Sequence, residues 1–323
     1  MADSSSTSSS RAAPSRGQAH ELRRFALRAG AFVLLLLALD AGVGAVLRRM
    51  YFAQRSGQLA ETTYIIDHMH QPVVVVGSSR AQHHYVPGLL AAALGRPCYN
   101  AGRDGQGMLF YAAVLEQVFA RYRPEVVVLD LNPRDLEHDT KGYDRLSELL
   151  PYVAEHPSLR RTVVLRSRFE RWKLLSRAYP FNSMVLSIVQ HDLVRHSRTA
   201  RDSGYVPLHE DLSRRKGPVN PRASLPVAPF DPVKRDALLR TLALARAGGT
   251  RVVVVCSPQF ASDVAAGSRA QLAALLRSEG LELWDYVDDP AWLVPSLYSD
   301  EVHLNDTGAR RFSSELGARL AAR

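Results

Sequence analysis

The sequence predicts an α/β protein, with a parallel sheet covered by helices on both faces, that follows a single membrane-spanning helix. Three observations support this prediction. Short runs of valine recur along the chain, segments with helical apolar spacing separate them, and one long apolar run precedes them all near the N-terminus. Continuous apolar strands that alternate with helices are typical of parallel sheets buried on both faces.

Composition sets the first limits. The chain has 323 residues, 46% of them hydrophobic, with 41 Lys and Arg against 32 Asp and Glu and only two cysteines. A chain of this size buries a core without disulfides, and Cys98 and Cys256 form no metal-ligand cluster, so we expect neither a metal nor a cofactor. The net charge of +9 predicts attraction to anionic partners such as lipid headgroups, acidic polymers or nucleic acid.

The apolar run at residues 29–47 is long enough to cross a bilayer. It contains one charged residue, Asp40, and ends in Leu47-Arg48-Arg49 rather than in a small-residue cleavage site. About 20 apolar residues span a membrane, so an uncleaved anchor is favoured over a signal peptide. Asp40 within the span is either a contact for a partner helix or a solitary tolerated acid.

Charges that flank the span predict its orientation. Five arginines precede it and three follow it, which favours a cytoplasmic N-terminus. We therefore expect a single-pass protein of the inner (cytoplasmic) membrane whose body, residues 56–323, lies in the periplasm. The Ser-rich residues 1–28 are expected to form a disordered cytoplasmic tail.

The body divides into strands, helices and one insertion. Strands are predicted at residues 73–76, 97–100, 126–129 and 252–255, and helices at 89–94, 111–122, 233–247, 268–278 and from about Thr307, capped by Asp306 or Thr307. The insertion at 136–232 should hold a helical pair, 159–175 and 181–194, and a Pro-rich stretch, 218–232. Residues 134–235 have 19 basic and 12 acidic side chains, a net +7. This charge is either a solvated cap or a surface that steers an anionic polymer or headgroup toward the site.

Two motifs have the residue types of nucleophilic catalysis. Gly77-Ser78-Ser79 follows the first valine strand, and a hydroxyl there would lie beside the backbone N–H groups of a helix N-terminus, which stabilise an oxyanion. Gly and Ser are also ordinary capping residues. Near the C-terminus, the spacing of Asp300 and His303 lets a carboxylate reach the imidazole of its own turn and fix its tautomer.

The order of four short blocks resembles the SGNH/GDSL hydrolase superfamily. These blocks are Gly77-Ser78-Ser79, Asn100-Ala101-Gly102, Asp130-Leu131-Asn132, and Asp300-x-x-His303 followed by Leu-Asn-x-x-Gly. The membrane-anchored layout is similar to the bacterial subgroup that includes the D-alanyl transfer protein of teichoic acid modification and the alginate O-acetylation proteins. The resemblance implies a flavodoxin-like sheet.

The resemblance also implies a role for each site residue. Ser79 would be the nucleophile, His303 the general base and acid, and Asp300 the orienting acid. The N–H groups of Ser79 and Gly102, together with Asn132, would form the oxyanion hole. This chain has Ser78 where the family has Asp, and Asp130 and Pro133 in place of its Gly and Asp. These departures leave open which serine attacks, and whether Asn132 stabilises an oxyanion or caps a loop.

Three functions follow as hypotheses. The first is a serine esterase or O-acyltransferase that acts on cell-envelope glycopolymers or other acylated substrates, with a membrane acyltransferase as a candidate partner. The second is a non-catalytic envelope polysaccharide-binding or assembly protein with the same fold. The third, nucleic-acid binding, is disfavoured by the anchor and by the lack of a basic helix interleaved with aromatics. Arg80, His83 and His84 either bind an anionic substrate group or are exposed helix residues.

Overall fold

A five-stranded, entirely parallel sheet forms the centre of the body. The computed structural model describes residues 16–193, 203–215, 226–261 and 264–323, and only the backbone of 16 and 190–193. The strands, in the spatial order β2-β1-β3-β4-β5, are β1 Val73–Val76, β2 Cys98–Asn100, β3 Val126–Asp130, β4 Arg251–Cys256 and β5 Leu283–Asp285. The predicted α/β architecture with a parallel sheet is confirmed, and the order is that of flavodoxin-like folds.

Helices cover both faces of this sheet. All the α-helices of the described residues, including those that do not cover the sheet, are α1 Arg16–Phe52, α2 Gly57–Asp67, α3 Ser79–His84, α4 Pro87–Leu94, α5 Met108–Arg121, α6 Thr140–Asp144, α7 Arg160–Val163, α8 Glu170–Lys173, α9 Val185–Leu193, α10 Pro232–Ala247, α11 Ala266–Ser278 and α12 Asp306–Ala321. Val73 and Val75 face the core of α3, α4 and α12, whereas Val74 and Val76 face that of α2, α5, α10 and α11. Successive strand residues point to opposite faces, so a strand covered on both must be apolar throughout.

Outside the insertion, two of these elements have no counterpart among the predictions. Strand β5 is a three-residue edge strand, and Leu283-Trp284-Asp285 lacks the β-branched run that marks a central strand. Helix α2 packs Ile65 and Ile66 under the sheet. The cap of the last helix also differs from the prediction. The side chain of Asn305, rather than Asp306 or Thr307, accepts the Gly308 N–H at 3.0 Å.

Helix α1 is long and apolar enough to cross a membrane. Its most apolar 18-residue window has a mean hydropathy of 2.3 and is 11% buried. The helix extends beyond the predicted 29–47 at both ends, so the prediction of a disordered tail is wrong for residues 16–28, and residues 1–15 lie outside the described part. Ala, Leu, Glu and Arg are strong helix formers, and extending an existing helix is cheap.

The insertion closes at its base. Glu137 and Phe230 form an antiparallel bridge, and the Asp231 N–H donates to the Leu136 carbonyl at 2.7 Å. The predicted helix at 159–175 is broken into short pieces, because Ser167 is extended and its hydroxyl accepts the Phe169 N–H at 3.2 Å, which competes with a helix. The second predicted helix starts as a 3₁₀ turn, Tyr179–Met184, and continues as α9. Residues 216–225, with most of the Pro-rich stretch, lie outside the described residues.

Candidate active site

Ser79, His303 and Asp300 form one hydrogen-bonded chain at the carboxyl edge of the sheet. Ser79 Oγ lies 2.8 Å from His303 Nε2, and His303 Nδ1 lies 2.8 Å from Asp300 Oδ2. An ionised carboxylate only accepts hydrogen bonds, so Nδ1 of His303 carries the proton and Nε2 accepts from the Ser79 hydroxyl. This is the arrangement in which a histidine can remove the proton of a serine.

Asp300 is kept ionised by its own turn. Burial alone would raise its pKa, but the His303 side chain and the backbone N–H groups of Val302 and His303 bond to the carboxylate and hold the pKa below its usual value. The carboxylate therefore fixes the orientation of the imidazole and balances the positive charge that forms when the ring takes a proton.

The turn that holds Asp300 and His303 is tied to the body at its C-terminal end. Asn305 uses all of its side chain there: Nδ2 donates to the carbonyls of Glu210, Ser296 and Tyr298, while Oδ1 caps α12. Beside it, the Leu304 N–H donates to Nε2 of His84 at 3.0 Å.

His84 is a buried histidine that joins the two halves of the site. Because its Nε2 accepts from Leu304, its Nδ1 carries the proton and donates to Ser257 Oγ at 3.0 Å. Burial, reinforced by nearby positive groups, lowers the pKa of His84 well below its usual value. His84 is thus a neutral side chain that links α3 to the turn of His303 by a hydrogen bond. Because α3 begins with Ser79, this bond fixes the two halves of the site relative to each other. The sequence prediction for His84, an exposed residue or an anion ligand, is wrong, since the side chain is fully buried.

Arg80 points under the site rather than toward a substrate. Its side chain is 12% exposed and lies 3.5 Å from both Asp130 and Asp135. Asp130 also accepts a hydrogen bond from the Tyr85 hydroxyl at 2.8 Å. Asp130 is therefore the buried partner of the arginine that follows Ser79. Charges this deep persist only when they are paired.

Gly102 is not available as an oxyanion donor. Its N–H donates to Asn100 Oδ1 at 2.9 Å, so the prediction from the family resemblance is wrong at this position. Asn100 folds back in this way because its Nδ2 donates to the carbonyls of Ala81 and Tyr85 on α3. The glycine is explained by packing instead, since a Cβ at Gly102 would lie 2.7 Å from the carbonyl carbon of Ala81.

Asn132 has a free donor at the same edge. Its Oδ1 accepts the Arg134 N–H at 3.0 Å, which caps the 3₁₀ turn Pro133–Leu136. Its Nδ2, in contrast, donates to no acceptor among the described residues. The loop-capping role is therefore present, and it leaves the amide N–H₂ group for a ligand.

The insertion contributes a wall beside the site that the sequence did not predict. Residues 203–215 run along β2, α3 and the turn before α12. The Asn100 N–H donates to the Ser203 carbonyl, and the Val206 carbonyl accepts from His83 Nδ1 at 2.7 Å. The ring of His83 meets that of His303 edge to face, with 5.6 Å between centroids. Composition could not predict this contact, because it depends on where the chain of a long insertion packs back against the sheet and α3.

Comparison with known proteins leaves the geometry as the basis for function. No protein-family model matches the chain, and no curated protein gives a significant sequence match. Among the described residues, no group of three or more His, Cys, Asp or Glu side chains is arranged to hold a metal ion.

The buried His84 predicts a pH dependence of stability. Its pKa is lower in the folded protein than in the unfolded chain, where it is about 6.5, so below that pH the unfolded state binds more protons and stability falls. His84→Gln can keep both hydrogen bonds but cannot titrate. Thermal melts of the full chain in detergent should show wild-type stability falling more steeply below about pH 6.5, by up to about 1.4 kcal/mol per pH unit. Parallel pH profiles for the two proteins would contradict this role of His84.

Proposed function

We propose that this protein is a membrane-anchored SGNH-type serine esterase or O-acyltransferase that acts on acylated cell-envelope glycopolymers or similar esters. The observation that carries the proposal is the hydrogen-bonded chain Ser79–His303–Asp300 at the carboxyl edge of a parallel sheet. Ligands bind at that edge in open α/β sheets. A serine hydroxyl bonded to an imidazole that is itself oriented by a carboxylate is the arrangement of acyl transfer through a covalent intermediate.

In the proposed reaction, Ser79 Oγ attacks the carbonyl carbon of the ester while His303 Nε2 takes its proton. The imidazolium then gives this proton to the leaving alcohol, and the acyl group stays on Ser79. A second hydroxyl, from water or from a sugar, repeats the sequence in reverse and regenerates the serine. Water as acceptor makes the protein an esterase, and a glycan hydroxyl makes it an acyltransferase.

The oxyanion would be stabilised by Ser79 and Asn132. The Ser79 N–H lies in the first turn of α3, and the Asn132 N–H₂ group has no protein acceptor within the described residues. Gly102 is left out because Asn100 occupies its N–H. Each such donor is typically worth about 10²–10³-fold in kcat, so the loss of one donor leaves a slow enzyme rather than none.

The first prediction from this proposed function concerns the nucleophile. With p-nitrophenyl acetate as substrate and the full chain in detergent, Ser79→Ala and His303→Ala should each lower kcat by about 10³-fold or more, and the double variant should be no worse than either single one. Asp300→Asn should cost less, because the carboxylate orients and balances charge without touching the substrate. The melting temperature should change little in each case.

Ser78→Ala is the matched control, since Ser78 is the buried N-cap residue of α3 and does not bond to His303. Turnover should remain near the wild-type value. Loss of turnover in Ser78→Ala but not in Ser79→Ala would shift the first block by one residue. If neither serine mattered, the non-catalytic polysaccharide-binding protein would replace the enzyme.

The second prediction separates the two roles of Asn132. Asn132→Ser retains a good capping oxygen but is too short to place a donor where the amide N–H₂ lies. We expect a loss of about 10²–10³-fold in kcat with KM and melting temperature nearly unchanged. A fall in melting temperature without a loss in kcat would show that Asn132 only caps the turn at Pro133.

We also propose that α1 spans the inner membrane with the body in the periplasm. The support is the length and hydropathy of α1 together with the excess of arginine before residue 29. A reporter that functions only outside the cytoplasm, fused after Arg323, should be active, and a reporter that functions only inside should be silent. The reverse pair of results would invert the topology.

A further inference from the structure

The insertion presents an apolar and basic surface beside the membrane-spanning helix. Among the described residues outside α1, the three most exposed large hydrophobic side chains are Leu186 at 70%, Trp172 at 71% and Leu175 at 72%, and Phe169 nearby in the chain is 51% exposed. All four belong to one 18-residue stretch of the insertion, 169–186, and we call them the exposed apolar patch. Such a concentration of bulky side chains is unusual for a surface that faces water.

Basic side chains surround this patch. Trp172 and Leu175 line a groove of about 610 Å³ whose rim holds Arg160, Arg168 and Arg171. None of these three arginines forms an ion pair within the described part of the chain. The one acidic residue in this stretch, Glu170, is fully buried and neutralised by Arg166 and Lys173. The charged side chains that line the groove are therefore all positive.

The position of the patch along α1 is fixed by Asp40. Its carboxylate accepts the hydroxyl of Ser176 and the backbone N–H groups of Arg177 and Ala178, the last two at 2.7 and 3.3 Å. Gly44, one turn further along, allows this approach, because a Cβ there would lie 2.6 Å from the Arg177 carbonyl carbon. Asp40 is therefore not a solitary acid, because the insertion of the same chain binds its carboxylate.

Aromatic packing makes the attachment rigid. The Tyr51 hydroxyl bonds to that of Tyr152 at 2.9 Å, and the Tyr51 ring packs on Phe181 with 5.7 Å between centroids. The insertion is thus held against α1 from Asp40 to Tyr51. Asp40 precedes Leu47, the last residue of the apolar run, by seven residues, which is about 10 Å of helix. The segment next to Leu175 is therefore level with the outer part of the span.

We propose that the exposed apolar patch inserts into the bilayer surface beside α1, with Arg160, Arg168 and Arg171 against anionic lipid phosphates. A depth of about 5–10 Å below the headgroups is typical of interfacial segments that have aromatic and Leu side chains on one face and Arg on the other. Trp favours this zone because its ring is amphipathic, and each arginine near an anionic surface adds about 1 kcal/mol. The proposal rests on the membrane-anchoring part of the proposed function and is independent of catalysis. The body would then be held at a fixed angle to the membrane by two contacts.

Trp172 is a natural probe of this contact. Of the three tryptophans in the chain, Trp284 and Trp292 are 3% and 1% exposed, whereas Trp172 is 71% exposed. The full chain is placed in lipid nanodiscs of phosphatidylcholine and phosphatidylglycerol, and the emission of wild type minus that of Trp172→Phe isolates Trp172. Lipids brominated at the headgroup end of the acyl chain should quench most of this emission, lipids brominated at the methyl end should quench less, and aqueous acrylamide should quench little.

A second arm tests the arginines. Arg168→Gln together with Arg171→Gln should reduce the quenching of Trp172 in discs that contain phosphatidylglycerol, while Arg277→Gln, an exposed arginine on α11, should leave it unchanged. Strong acrylamide quenching would show Trp172 in water and overturn the proposal. Protection from both acrylamide and brominated lipid would indicate a protein contact, such as a second copy, and would overturn it as well. Co-elution of the chain with the discs reports separately on anchoring by α1, so failure of the anchor and failure of the patch are distinguishable.

Discussion

The hydrogen bond between Ser79 and His303 joins residues 224 positions apart in the chain, and the rest of the body is arranged to make it possible. Ser79 is placed by β1, whose carboxyl end opens directly into α3. His303 lies on a turn with no regular structure, so its position depends on the side chains that hold that turn. His84 does so from α3 and Asn305 from the start of α12. A reactive pair needs a fixed separation, and these contacts prevent the turn from drifting away from the sheet.

The polar groups beneath the site are buried and the groups at its mouth are not. His84 is fully covered, and Arg80 reaches down to Asp130 and Asp135. The side chains of His303 and Asp300, in contrast, are 20% and 40% exposed. Burial below keeps the geometry rigid, because an unpaired charge or polar group there would be costly. Above, Ser79, His303 and Asp300 remain partly exposed, with residues 203–215 of the insertion as one wall.

The insertion contacts both this site and the long apolar helix α1. One part of it lies beside His83 and the turn of His303, and another part binds Asp40 and Gly44 of α1. The mouth of the site and α1 are therefore both in contact with described parts of the same insertion. Under the proposed function, these contacts would limit the directions from which an envelope polymer can enter the site.

The sequence by itself determined the parallel sheet, the long apolar helix and the order of the site blocks, because these features depend on local patterns. A run of valines favours a buried strand, and a nineteen-residue run with one charged residue is long enough to cross a bilayer. Tertiary structure alone decided the rest. Gly102 was expected to donate to an oxyanion, but Asn100 reaches its N–H first. Asp40 was expected to be solitary or bound to another chain, yet residues 176–178 cap it. His84 was expected to be exposed or to bind an anion, but it is buried and bonds to the turn of His303. Asp40 and His84 bind partners that are distant in sequence, and Asn100 turns its side chain toward Gly102 because its amide group bonds to the distant carbonyls of α3. Composition, spacing and periodicity report only on neighbours along the chain.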